Sequence, residues 1–210
     1  MTAVAAKSDL YELLDTYGGL SFERRMDLAA FTALSEAHPD LIVEREASGK
    51  VLIMSPVKAG SGGTESDLNY FIQHWNRSND KPGKVYSPST GFLLAGEEVR
   101  CGDSVWVSMQ RIAPFLADPD HAKKWVDVCP DFVVEVRSST DRLKSLQRKM
   151  TNVWLANGAR LGWLIDTENE VVYIYRAGKV EPEEVRDFDH AVLSGEEVMP
   201  GFELPLVELQ

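Results

Sequence analysis

The stretch PDFVVEVRSSTD, residues 130–141, sets two carboxylates and a guanidinium into a run of branched apolar residues. Paired acids can hold a cation or share acid–base work, so their spacing decides what they can do. Pro130 can open a strand, and Ser138, Ser139, Thr140 and Asp141 are turn and cap residues, which predicts one buried strand over Phe132 to Arg137. Alternation then points Phe132, Val134 and Val136 one way and Asp131, Val133, Glu135 and Arg137 the other. Asp131 and Glu135 fall roughly 13 Å apart, too far to share one metal ion or one scissile bond. Glu135 and Arg137 are only about 7 Å apart, and they can address one centre if a neighbouring strand supplies a second acid.

The candidate acid is Asp103 in VRCGDSVWVS, at the start of a strand and behind a glycine that permits a sharp bend or a close approach. Were that strand to lie beside the 130s strand, Asp103 and Glu135 would face each other across about 5 Å. Facing carboxylates repel without a cation, and hard oxygen ligands of this kind suit Mg²⁺ or Mn²⁺.

The elements that must position these residues follow from periodicity. SFERRMDLAAFTALSEAHPD reads as helical up to Pro39, LIVEREASGKVLIMSP as a hairpin turning at Ser48-Gly49, and KAGSGG as a loop. Leu68, Phe71, Ile72 and Trp75 recur at helical spacing behind Thr64 as N-cap. Strands with a turn near Gly96 follow, ending with Ser104–Val107. After the 130s strand, Asp141 caps a helix with the apolar stripe Leu143, Leu146, Met150, Val153 and Trp154, closed at Gly158. RLGWLID and VVYIYR form a hairpin, and the acidic remainder reads as a wrap or edge strand.

At 210 residues, 44% hydrophobic and 26% charged, the chain has ordinary globular composition and suits a single domain over 1–210. Its parts are an N-terminal helical segment about 1–38, a core about 39–178 and a C-terminal wrap about 179–210. No membrane span or signal peptide is evident, which predicts a cytoplasmic protein. Cys101 and Cys129 read as small buried hydrophobes, and the four histidines show no metal spacing. There is no glycine-rich phosphate loop and no nucleophile elbow. A net charge of -11 repels a nucleic-acid backbone, although carboxylates gathered around a metal contribute to that charge.

The order of elements describes an α/β (α+β) sandwich, and the motifs resemble the PD-(D/E)XK nuclease superfamily. More closely, HPDLIVEREASGKVLIMSP, STGFLLAGEEVRCGDSVWVS, CPDFVVEVRSSTDRLKSLQRKM, NGARLGWLID and LSGEEVMPGFEL resemble successive blocks of the Uma-two family of endonucleases, from about residue 31 to the C-terminus. The resemblance implies a restriction-endonuclease-like core, a central mixed β-sheet flanked by helices. It maps the family's Pro-Asp onto Gly102-Asp103, not Pro130-Asp131, and its Glu-x-Lys glutamate onto Glu135. Arg137 stands where the superfamily has lysine, and an arginine stays protonated, so it contacts a phosphate oxygen or anchors Glu135. Lys149, on the following helix, takes the lysine's place at the flank of the apolar stripe. Glu65 matches an acid on the first core helix, with a second-metal role or a role at the helix N-terminus.

The implied function is hydrolysis of phosphodiester bonds in nucleic acid, DNA above all, with Mg²⁺ or Mn²⁺ on Asp103, Glu135 and Glu65, and with Lys149 and Arg137 completing the catalytic set. The alternatives are an inactive binding or regulatory module on the same fold and a hydrolase for small phosphodiesters. Phe202, Leu204, Leu206 and Val207 after a long acidic segment predict self-association as a homodimer.

Overall fold

The computed structural model describes residues 19–22, by their backbone, and 25–210. The rest of the N-terminal segment read as helical lies outside the described residues. Two sheets organise the chain. One is six-stranded and mixed, and the other is five-stranded and antiparallel.

In the larger sheet, β8 (Phe132–Val136) pairs antiparallel with β7 (Ser104–Ser108) and parallel with β9 (Leu161–Asp166). Beyond these lie β10 (Val171–Arg176), antiparallel to β9, then β11 (Glu183–Val185), with β4 (Gly83–Tyr86) at the other edge. The alternation along β8 separates two cores. Phe132, Val134 and Val136 pack with Leu68, Ile72 and Trp75 of helix α2 (Ala59–Ser78), whereas Val133 packs with Met150 and Trp154.

The smaller sheet comprises β1 (Gly19–Phe22), the hairpin of β2 (Ile42–Arg45) and β3 (Val51–Met54), and the strands β5 (Phe92–Leu94) and β6 (Glu98–Arg100). The hairpin turns through Gly49, whose φ of 84° requires glycine, and α1 (Leu28–Ala37) packs Phe31 beneath the sheet. Three residues, Cys101 to Asp103, carry the chain from β6 into β7 and so join the two sheets.

Four local expectations need correction. Ser21 and Phe22 belong to β1, because pairing with β3 overrides their local helical pattern. The KAGSGG stretch is the opening of α2, and Thr64 is inside that helix, where its hydroxyl donates to Gly60 O, so it is not the N-cap. Between β7 and β8, where no element was expected, Met109–Leu116 forms a helix, α3, that accommodates Pro114; Ile112 and Phe115, three apart, bury one face of it. Asp141 caps no helix. Its Oδ2 accepts from Ser138 N and Oγ at 2.9 and 2.6 Å, a turn that precedes α4 (Leu143–Arg148).

The C-terminal wrap also differs from expectation. After β12 (Val192–Ser194) and β13 (Glu203–Pro205), a short helical turn closes the chain, and Phe202, Leu204 and Leu206 are buried within it. Only Val207 among the four is exposed, so Phe202, Leu204 and Leu206 complete the monomer core and do not themselves form an apolar edge. Phe202 stacks on Trp163 at 5.8 Å and meets Phe132 edge-on at 6.3 Å. We expect Phe202→Ala to lower stability by about 3–5 kcal/mol in urea denaturation, because it leaves a cavity among these rings.

Candidate active site

The register of β7 on β8 pairs Ser104 with Val134, and Asp103 N donates to Val134 O at 3.0 Å, which sets Asp103 beside Glu135 at the C-terminal end of β8. Val136 N donates to Asp103 Oδ2 at 2.6 Å, so the carboxylate lies on the strand end. Asn69 of α2 holds the same turn, donating to Asp103 O at 3.1 Å and accepting from Ser104 Oγ at 3.2 Å. One helical turn earlier stands Glu65, half-buried, whose carboxyl is raised by burial and by the charge of Glu135.

Glu135 is 2% exposed, and donors from one helix converge on it. Lys149 Nζ lies 2.9 Å from Oε1 and 3.0 Å from Oε2, and Trp154 Nε1 donates to Oε1 at 2.7 Å. The same ammonium donates to Cys101 O at 2.7 Å and lies 3.1 Å from Glu44 Oε1. Glu44, from β2 of the smaller sheet, also accepts from Cys101 N at 2.9 Å and pairs through Oε2 with Arg100 Nε at 3.0 Å. Arg100 in turn binds Glu98 Oε1 at 3.0 Å. Lys149 therefore bridges the two sheets.

Charge in this cluster is unbalanced. Burial opposes ionisation of Glu44, but Lys149 and Arg100 outweigh it and hold that carboxyl below its usual range. Burial likewise opposes the Lys149 ammonium, and Glu135 and Glu44 outweigh it, so its pKa is raised. Asp103 and Glu135 lack enough cation between them. Burial pushes each up to about 7 against the pull of Lys149, with Glu65 and Glu44 adding to the rise at Asp103, and Asp103 and Glu44 to that at Glu135. The pair together retains a proton near neutrality, because two buried carboxylates share one ammonium.

Such a pair takes up either a proton near neutral pH or a divalent cation. Asp103 and Glu135 fit Mg²⁺ or Mn²⁺ by donor chemistry, as hard oxygens with surplus negative charge. Among the described residues no three Asp, Glu, His or Cys side chains already converge at ligand spacing.

Other residues singled out from sequence fall elsewhere. Arg137 Nη1 bonds Asp166 Oδ2 at 2.5 Å, and its Nε reaches Asp141 O at 3.4 Å. We expect Arg137→Ala to cost about 1–2 kcal/mol in chemical denaturation, because Asp166 keeps its bonds from Asn169. Asp131, buried at the far end of β8, accepts from Ser108 N at 2.8 Å and pairs with Arg111 and Arg160 at 3.2 and 3.6 Å. Both cysteines are free thiols, which burial pushes up to about 12 at Cys101 and about 11 at Cys129. Sequence reasoning gave no role to Glu44 and took Trp154 for packing alone. The one signal for Glu44 is a charged residue inside the short strand IVER.

A crystal structure described as "a putative nuclease belonging to DUF820", from Anabaena variabilis ATCC 29413, superposes with a TM-score of 0.70 at 19% identity, covering 88% of this chain and 97% of that one. This likeness shows the fold. No curated protein matches. The family model described as "Putative restriction endonuclease" matches residues 28–207, nearly the whole sequence, and the chain belongs to that family, Uma2.

Proposed function

We propose that this protein is a Mg²⁺- or Mn²⁺-dependent endonuclease that hydrolyses phosphodiester bonds in DNA. The observation that carries the reading is the meeting of Asp103 and Glu135 at one strand end, with the Lys149 ammonium 2.9 Å from Glu135. Asp103 and Glu135 would hold the ion, with Glu65 the further carboxylate that would join them. When bound, the ion supplies a water of lowered pKa and shields the phosphate charge. Lys149, fixed from the other side by Glu44 and Cys101 O, keeps its proton and, with its three N–H groups committed to Cys101 O, Glu44 and Glu135, places the attacking water through the Glu135 carboxylate it orients. Arg137 braces the strand end through Asp166.

The reading extends to a single domain over residues 1–210, acting in the cytoplasm as a homodimer whose two-fold axis presents two sites to opposite strands. Among the described residues no helix is long and apolar enough to cross a membrane. Light scattering should return twice 23.4 kDa.

The deciding experiment incubates the protein with single-stranded, duplex and branched DNA and with a small phosphodiester, with and without Mg²⁺ or Mn²⁺. Ion-dependent cleavage of DNA is expected. Cleavage of the small phosphodiester alone would fit the charge of -11 better and replace the substrate class. No cleavage of any substrate would leave an inactive module.

A further inference from the structure

The helix that carries Lys149 changes its winding at that residue. Leu143–Arg148 is α-helical, Lys149–Trp154 forms a π turn, and Leu155 N–H reaches back five residues to Met150 O. On an α-helix, positions five apart are about 140° apart around the axis, so Lys149 and Trp154 would face different neighbours. A π turn closes i→i+5 bonds and brings such positions onto one face. Here both reach one carboxylate, with Lys149 Nζ 2.9 Å and Trp154 Nε1 2.7 Å from Glu135 Oε1. The ammonium also lies 5.9 Å from the centroid of the Trp154 ring.

The connection from β6 to β7 passes beside the indole at Gly102. A Cβ at Gly102 would stand 2.8 Å from Val105, 3.0 Å from Val133 and 3.5 Å from Trp154 Cζ2. A side chain at Gly102 would thus press on Val105 and Val133, and the indole lies in ordinary contact behind them.

We propose that Trp154 is a positioning residue: the π turn aligns its N–H with the Lys149 ammonium, and together they fix the orientation of the Glu135 carboxylate. The link to metal and catalysis rests on the nuclease reading; the link to Glu135 does not. Trp154→Phe keeps an aromatic ring against Phe92 and removes the N–H. In the metal-free protein, the indole N–H proton resonance of Trp154, assigned by its absence in Trp154→Phe, should shift on Glu135→Gln. By calorimetry, Mn²⁺ should bind Trp154→Phe about 10–100-fold more weakly, the usual effect of losing a partner behind a metal ligand. In cleavage, kcat should fall with KM for DNA unchanged. An indole resonance that ignores Glu135→Gln, or a Mn²⁺ affinity within twofold of wild type, would overturn the proposal. A wild type that binds no Mn²⁺ and cuts nothing would count against the nuclease reading alone, since the resonance is read without metal or DNA.

Discussion

Asp103→Asn should reduce DNA cleavage by roughly a thousandfold or more while leaving the metal-free protein at least as stable as wild type at pH 8. A bound metal contributes several kcal/mol of charge stabilisation to the transition state, and losing an anionic ligand forfeits much of it. Stability moves the other way. Folding raises Asp103 and Glu135 from ordinary values of 3.8 and 4.5 to about 7. Between about pH 4 and 7 the unfolded chain has released protons that the folded chain retains, so folding is progressively disfavoured as pH rises and levels off above that window. Asparagine carries no charge there and can still accept from Val136 N, so its pH profile should be flatter than wild type. Urea melts at pH 4.5, 6 and 8, compared between the two proteins, isolate this contribution from other titrating groups. Mn²⁺ should return the lost stability to wild type at pH 8 and return little to the variant. Identical pH profiles, or retained cleavage, would refute the assignment of Asp103.

Lys149→Met should be destabilising by about 3–5 kcal/mol at pH 8, the cost of leaving buried carboxylates without their cation. Its side chain is 12% exposed between Glu44 and Glu135, each under 5% exposed, and burial at this level leaves water little opportunity to take the place of the ammonium. The loss should shrink at pH 5, where the Glu135 carboxyl accepts a proton instead. Adding Glu135→Gln removes the carboxylate left without a cation, since Glu44 keeps Arg100, so the double variant should recover part of the stability and none of the cleavage. This pattern locates the stabilising role of the ammonium chiefly at Glu135, the carboxylate that the reaction also needs. A Lys149→Met protein within 1 kcal/mol of wild type at pH 8 would show that the buried bridge contributes little.

Much of this arrangement was legible in the amino-acid order. Alternation along Phe132–Val136 assigned Glu135 to the face opposite Phe132 and Val134 and kept it apart from Asp131, because a strand's faces repeat every two residues whatever packs against them. Helical spacing of Leu68, Ile72 and Trp75 turned one side of α2 inward, with Glu65 on its flank. Local spacing determines which residues share a face but not which face meets which. The partnership of Glu44 with Lys149 arises only because the chain crosses between sheets at Cys101 to Asp103, fifty-odd residues from Glu44. The burial of Phe202, Leu204 and Leu206 likewise depends on where the wrap lands, so their apolar character alone pointed to a second copy. Trp154 was out of phase for Glu135 on any helix of 3.6 residues per turn. Only the tertiary structure, by winding a π turn where tryptophan and lysine pack against β8, puts both on the same carboxylate.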